Sequence, residues 1–327
     1  MRTTPSIPVF SLPMAWIGVG KMGQPMAGHL LSAGAQLLLC DPDRERLTPL
    51  LQRGAQAVDD AAAAAARVGA SGVVFSSLPN DAALREVVFG TRGLLAGAQP
   101  GMAFVDTSTV SPTLSAEVAG ALQAAGLQYL RVTVSGNNHF AESATLTVMA
   151  SGDAALYARL QPLLACFGDK HFHVGTAEQA RTLKLVINLM IAGTAGFFAE
   201  ALALGRKGGL DWQSMLQVIG ASAVASPIVR SKSQELAVRD FTPTFTCHQM
   251  AKDLDLILAA GQASGVPLGL TALVAQLNQA CIAMGDGELD YIASVRLLER
   301  LSGLALPPGS RWSPPAPPSP GQPPERC

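Results

Sequence analysis

Met14-Ala15-Trp16-Ile17-Gly18-Val19-Gly20-Lys21-Met22-Gly23 opens with a short apolar run and closes on three glycines spaced G-x-G-x-x-G. Gln24 to Leu31 then carries apolar residues at helical spacing, so the stretch predicts strand, tight turn and helix. In that context each glycine has a separate physical job: Gly18 makes the turn, Gly20 lets the backbone approach a pyrophosphate, and Gly23 packs helix against strand. The helix N-terminus supplies N–H groups and the positive end of its dipole to the phosphates. A second apolar run, Gln36 to Cys40, ends in Asp41, 23 residues beyond Gly18. That is where an acid that binds a ribose diol belongs.

The alternation continues outward. Asp60 opens an alanine-rich helix to Arg67, Gly72 to Leu78 reads as a strand, Asp81 to Val88 as a helix, Ala103 to Asp106 as a strand and Ser111 to Ala125 as a helix. Leu146 to Ala150, Ala154 to Phe167 and His171 to Val174 add strand, helix and strand. Residues 14–175 are therefore expected to form an α/β domain on a doubly wound, Rossmann-type parallel sheet. Ligands of such sheets bind beyond the carboxyl ends of the strands. Three turns lie there: Leu78-Pro79-Asn80, Asp106-Thr107-Ser108-Thr109 and Val134-Ser135-Gly136-Asn137, all rich in hydroxyls, amides and backbone N–H groups. After Gly209 no strand pattern recurs. Helices are predicted at Asp211–Ile219, Ser226–Val238, Met250–Ser264, Leu270–Met284 and Tyr291–Leu301, which makes 176–305 an all-helical C-terminal domain. Residues 1–13 and the Pro-rich 306–327 are expected to be disordered, the latter because Pro, Ser and Gly cannot build a core.

From Gly175 to Gly209 the chain reads as one long helix joining the two domains. Between Leu183 and Leu204 the polar interruptions are chiefly Lys184, Asn188, Thr194 and Glu200, which predicts burial on most sides. About 20 apolar residues would also span a membrane, but Lys184, Asn188 and Glu200 would each face lipid, so a core helix is expected. Thr176 and Gln179 have the spacing of a capping box, and Gly205 with Arg206 and Lys207 reads as a stop. Lys184 and Asn188, four apart, share one face. A lysine is seldom fully buried without a partner; either its ammonium reaches out to water or it lines a cleft where a substrate meets it. Lys252-Asp253-Leu254 likewise reads as opening a helix, where a first-turn lysine opposes the dipole unless an anion offsets it.

Composition narrows the class of partner. A chain of 327 residues has room for two domains, and 49% hydrophobic content with 14% charge indicates compact ones. The net charge of -1, with no basic run, gives no footprint for nucleic acid or an anionic membrane, so small molecules are the expected partners. Five scattered cysteines without a CxxC read as reduced thiols. The first thirteen residues lack the apolar run of a secretory or transit peptide, and the cytoplasm is the expected compartment. His171 and His173 share a strand face without a third ligand, which favours a surface pair over a metal site; no metal is expected. His139 reads as a solvated loop residue, and His29 and His248 as surface or capping residues.

These residues, in this order, resemble the β-hydroxyacid dehydrogenase family, which includes 3-hydroxyisobutyrate dehydrogenase and tartronate semialdehyde reductase. Gly18-Val19-Gly20-Lys21-Met22-Gly23-Gln24-Pro25-Met26-Ala27 is similar to its cofactor fingerprint, Leu78-Pro79-Asn80 to its adenosine-side turn and Asp106-Thr107-Ser108-Thr109 to its nicotinamide-side loop. Val134-Ser135-Gly136 resembles its substrate loop, Lys184-Leu185-Val186-Ile187-Asn188 its catalytic helix and Lys252-Asp253-Leu254 its C-terminal lysine motif. The match runs from about Met14 to Gly303. It implies hydride transfer between NAD, with NADP as the alternative, and a small 3-hydroxy acid or its semialdehyde. Lys184 would be the general acid/base, tuned by desolvation toward roughly pH 7 to 8, with Asn188 orienting substrate or lysine. Ser135, Gly136 and Asn137 would take the substrate carboxylate, and Lys252 would close over cofactor and substrate. Gly18, Val19, Gly20, Lys21, Met22, Gly23, Asp41, Leu78, Pro79, Asn80 and Thr109 would hold the cofactor in a homodimer or homotetramer.

Three departures concern the substrate loop. Arg131-Val132-Thr133 stands where the family has Asp-Ala-Pro, Asn137 replaces a second glycine, and Ala144 replaces a glycine before Thr145. An inward Asn137 and a cation at Arg131 would favour a hydroxylated acid of the tartronate or glycerate kind over a methyl-branched one. The competing readings are an imine reductase-like enzyme, which generally lacks this lysine, and a nicotinamide-binding protein without turnover.

Overall fold

The computed structural model describes residues 9–305. In chain order the first part runs β1 (Met14–Ile17), α1 (Gly23–Ser32), β2 (Leu37–Cys40), α2 (Thr48–Leu51), β3 (Gln56–Ala57), α3 (Ala61–Val68), β4 (Val73–Ser76), α4 (Asp81–Phe89), α5 (Leu94–Gly97) and β5 (Ala103–Asp106). It continues through α6 (Pro112–Ala124), β6 (Gln128–Ser135), α7 (Asn138–Glu142), β7 (Thr147–Gly152), α8 (Ala154–Leu164) and β8 (Lys170–His173) into α9 (Gln179–Lys207). The eight strands form one sheet in the order β3-β2-β1-β4-β5-β6-β7-β8. Pairing is parallel as far as β6; β7 runs antiparallel to β6, and β8 parallel to β7.

β1, β4 and β5 are buried on both faces, as strands covered by helices on each side must be. Successive side chains divide between two cores. Met14 and Trp16 join Met26, Leu30 and Phe167, whereas Ala15 and Ile17 join Ala64, Val68 and Leu84. The register then aligns Cys40, Ile17, Ser76, Asp106 and Arg131 across neighbouring strands. Strand order reverses between β1 and β4, so the ligand crevice of such a sheet lies above Ile17 and Ser76.

The second part is helical: α10 (Trp212–Ala221), α11 (Pro227–Ala237), α12 (Cys247–Ser264), α13 (Gly269–Cys281) and α14 (Ser294–Leu301). Its core gathers Phe198, Leu202, Leu216, Leu236, Phe241, Leu254, Ile292 and Val295. Residues up to Asn188 with Ala259–Gly265 form one compact unit, and Leu189–Leu258 with the residues from Val266 form the other, so the division falls within α9.

Several local expectations change. Val9–Ser11 forms a 3-10 turn, and Val9, Phe10 and Leu12 pack against the first core, so the N-terminal extension is ordered from Val9. Residues 1–8 and 306–327 lie outside the described residues. The Thr176 capping box does not form: α9 begins at Gln179, whose amide oxygen accepts from Ala177 N–H, and Ala180 N–H donates to Ser151 Oγ. The helix ends at Lys207, within the expected stop of Gly205, Arg206 and Lys207. It is not buried on most sides. Val186, Met190, Phe197 and Leu204 are 48%, 66%, 60% and 76% exposed, a stripe at helical spacing. α12 starts three residues earlier than expected, on a capping box in which Thr246 Oγ1 accepts from Gln249 N–H and Gln249 Oε1 accepts from Thr246 N–H. Lys252 therefore stands beyond the first turn, and the dipole argument for an anion at that lysine falls.

Candidate active site

The glycine turn after β1 is a cradle. A Cβ at Gly18, where φ is +88°, would collide with the Ser77 carbonyl oxygen, and one at Gly23 with that of Gly18. At Gly20 nothing lies within 4 Å of a Cβ. Packing thus requires the outer glycines, and the middle one keeps open the place a pyrophosphate would approach. The helices after β3, β4, β5 and β7 are capped by Asp60, Asn80, Ser111 and Asp153, but α1 begins with no side-chain cap. Its first-turn donors suit an anion, so the turn fits a dinucleotide.

Asp41 follows β2 and is buried. Its Oδ2 accepts from Val19 N–H at 2.7 Å and its Oδ1 from Asp43 N–H at 2.9 Å, so it braces the glycine turn and keeps second lone pairs for a ribose. Arg44 is held by the Val58 carbonyl and Asp59, and Arg46 by Asp43. Both arginines are thus engaged with their own neighbours. Asn80 Oδ1 accepts from Ala83 N–H as the cap of α4.

Beyond β4 and β5 the polar side chains form a network. Asp106, fully buried, accepts through Oδ1 from Ser76 Oγ, Ser108 N–H and Ser108 Oγ. Ser108 Oγ accepts in turn from Leu78 N–H at 2.9 Å. The remaining carboxylate oxygen meets Arg181 in α9, and both side chains are 0% exposed. Burial works against the Arg181 charge, but Tyr129 and Asp106 outweigh it and hold the guanidinium above its ordinary pKa; burial also pushes the Tyr129 phenol up. Lys184 and Asn188 follow Arg181 at spacings of three and four, on the same face. Lys184 is half-buried and Asn188 is buried.

The substrate loop departs from expectation. Ser135 ends β6 half-buried, and Gly136 at φ +131° leaves no room for a Cβ beside Phe140 and Leu146. Asn137 caps α7: its Oδ1 accepts from the N–H groups of His139 and Phe140. Arg131 is buried, with Nε and Nη2 both on Glu178 Oε1 and its guanidinium 4.6 Å from the Tyr129 ring centre. An arginine held this way offers no cation to a substrate, so the expected preference for a hydroxylated acid loses both of its supports.

In the helical unit Lys252 Nζ lies 2.8 Å from Asp253. His171 and His173 each bind a backbone carbonyl, of Gly168 and Gly152. His29 binds the Ala141 carbonyl, while His139 and His248 lie near Glu142 and Glu288. Sequence reasoning missed Arg181. The available signal was an arginine three residues before Lys184, together with an aspartate at the end of β5.

The comparisons with known proteins agree with this geometry. Residues 13–175 match the family described as "NAD binding domain of 6-phosphogluconate dehydrogenase". Residues 179–298 match the one described as "NAD-binding of NADP-dependent 3-hydroxyisobutyrate dehydrogenase". Among curated relatives, 2-(hydroxymethyl)glutarate dehydrogenase of Eubacterium barkeri is 34% identical over 90% of this chain and 98% of its own. 2-Hydroxy-3-oxopropionate reductase of Escherichia coli is 31% identical over 90% and 100%. Among solved structures, Mycobacterium tuberculosis 3-hydroxyisobutyrate dehydrogenase with L-serine aligns with a TM-score of 0.80 at 30% identity, covering 88% of this chain and 99% of that one. The glycine cradle, the strand-end network and these full-length similarities together make the chain a member of the β-hydroxyacid dehydrogenase family, with nicotinamide dinucleotide as its cofactor.

Proposed function

We propose that this protein is an NAD(P)-dependent dehydrogenase of small 3-hydroxy acids, or reductase of the corresponding semialdehydes, with Lys184 as general acid/base. The observation that carries the assignment is that Lys184 and Asn188 continue the face of α9 on which Arg181 grips the loop after β5. The proposed proton donor and the proposed nicotinamide-side loop, Asp106 to Thr109, thus belong to one hydrogen-bonded body. Family membership favours this assignment over an imine reductase or a binding protein without turnover.

The nicotinamide, when bound, supplies or accepts the hydride. The turn from Gly18 through Val19, Gly20, Lys21 and Met22 to Gly23 would hold its pyrophosphate, Asp41 the adenosine ribose, and Leu78, Pro79, Asn80 and Thr109 the remaining cofactor surface. During reduction the substrate carbonyl oxygen gains negative charge, and the Lys184 ammonium stabilises that charge and delivers the proton; in oxidation the amine removes it. Asn188 orients lysine or substrate through a neutral amide that brings no competing charge. Ser135 and the backbone at Gly136 and Asn137 receive the substrate carboxylate. Lys252 is assigned to the anionic groups of cofactor and substrate on the family resemblance alone.

The finer assignments are a homodimer or homotetramer, supported by the exposed apolar stripe on α9, and a cytoplasmic location, supported by the free thiols of Cys40, Cys166, Cys247 and Cys281. Screening small hydroxy acids and semialdehydes with both nicotinamide cofactors tests the activity. Lys184→Ala should then lower kcat by roughly 10² to 10⁴ with cofactor affinity nearly unchanged. Near-native turnover by that variant would remove Lys184 from the chemistry.

A further inference from the structure

Among the described residues Arg181 is one of the largest fully buried side chains, next in volume after Trp16. Its guanidinium makes five hydrogen bonds: Nη1 to the Ser108 carbonyl at 2.5 Å, Nη2 to Asp106 Oδ2 at 2.5 Å, to the Tyr129 hydroxyl at 3.0 Å and to the Asp106 carbonyl at 3.3 Å, and Nε to Ser115 Oγ at 3.3 Å. A buried ion pair is a poor way to stabilise a core, since apolar residues of similar volume commonly do as well or better. The choice of acceptors indicates another use. Two of the five are main-chain carbonyls, that of Asp106 at the last residue of β5 and that of Ser108 in the loop beyond it, where backbone groups have passed the sheet ladder.

That loop is tied to its neighbour as well. Thr107 Oγ1 donates to the Ser76 carbonyl, and Ser108 Oγ links Asp106 to Leu78 N–H. The turn after β4, the loop after β5 and the first turns of α9 are therefore joined through Asp106 and Arg181. Lys184 lies three residues on from Arg181, about 4.5 Å along the helix axis. A shift of the Arg181 anchor is passed to Lys184 almost without slack.

We infer that Arg181 is a positioning residue for hydride transfer: it locks the helical turn that carries Lys184 to the Asp106–Thr109 loop, and so fixes the acid/base relative to the nicotinamide end of the cofactor site. Arg181 has this role only if Lys184 is the proton donor and that loop faces the nicotinamide, as proposed above. Misplacement by about 1 Å at such a site can cost around 10² in rate.

Arg181→Lys keeps a cation beside Asp106 but loses the planar fork. It should lower kcat by roughly 30- to 100-fold while the KM for the hydroxy acid changes less than about threefold. By titration calorimetry its affinity for ADP-ribose should match the parent, while the extra affinity conferred by the nicotinamide half should fall about fivefold. The paired substitution Arg181→Met with Asp106→Leu removes both charges, which should restore the melting temperature but not kcat or the nicotinamide increment. Arg181→Lys within twofold of the parent kcat, or recovery of kcat by the paired variant, would overturn the inference and leave a scaffold role. Lys184→Ala measured in parallel separates the two levels. If it is inactive while Arg181→Lys is unaffected, only the role of Arg181 fails; if it retains parent turnover, the proposed chemistry fails and the role of Arg181 with it.

Discussion

Each unit of the molecule buries a charge cluster, and the two are partnered differently. In the α/β unit Arg181 and Asp106 pair with 0% side-chain exposure, and their other bonds run to the Ser108 backbone, the Asp106 carbonyl and the hydroxyls of Ser76, Ser108, Ser115 and Tyr129. In the helical unit Glu299 of α14, also 0% exposed, accepts from Arg206 at the end of α9 and, through both oxygens, from Arg239 after α11. The two guanidinium groups there also lie over the Trp212 ring, at 6.0 and 4.1 Å from its centre. The Glu299 cluster joins side chain to side chain, with one bond from Arg206 to the Ala305 carbonyl, and ties α9, the segment after α11 and α14 together. The Asp106 cluster joins side chain to loop backbone and holds the place where chemistry is proposed. Burial of charge by itself does not distinguish the two clusters; what differs is the share of strand-end and loop backbone among their partners.

The contrast can be broken most forcefully at Glu299. Glu299→Ala leaves two guanidinium groups without their carboxylate and should lower stability by about 3 kcal/mol, with kcat per folded molecule unchanged. Chemical denaturation alongside active-site titration measures both, and a fall in kcat would mean that the helical cluster also serves the site.

Cofactor choice sharpens the contrast next. In the α/β unit the charges of Arg44 and Arg46 are engaged by their own neighbours, and Asp41 remains as an acceptor that would repel a 2′-phosphate. NAD(H) should therefore exceed NADP(H) in kcat/KM by at least about tenfold, roughly 1.4 kcal/mol. A ratio favouring NADP(H) would show that one of these arginines turns toward the ribose.

The smallest effect concerns backbone strain. Two non-glycine residues among those described have positive φ, Ala144 at 53° and Arg239 at 55°. Arg239 is held there by its fork on Glu299, whereas Ala144 has only a methyl group to set against the strain. Ala144→Gly should raise stability by roughly 0.5–1 kcal/mol, the left-handed penalty less the added freedom of the unfolded chain. An unchanged or lower melting temperature would show that packing already compensates at Ala144.

Much of the fold was legible because its signals are local. Asp60, Ser111, Asp211 and Ser226 cap the helices they precede, since a cap needs only the next turn of chain. The same locality misled at Thr176, which has the spacing of a box but sits in a segment held by Ser151 Oγ. The true box, Thr246 with Gln249, lies ahead of the point where the apolar pattern of α12 becomes regular, so periodicity does not mark it.

The order of the elements, the glycine turn, the acid after β2 and the face shared by Lys184 and Asn188 followed from the sequence by itself, because each depends on spacings of a few residues or one βαβ unit. Tertiary structure alone decided what the buried charges do. Arg131, expected at the substrate, instead binds Glu178, 47 positions away; Arg181, which no local pattern marks, binds Asp106, 75 positions away. The exposed stripe on α9 likewise became visible only once the neighbours of that helix were in place. Periodicity reports which residues share a face, but the partner of a buried charge is selected by desolvation, which depends on every element packed around it.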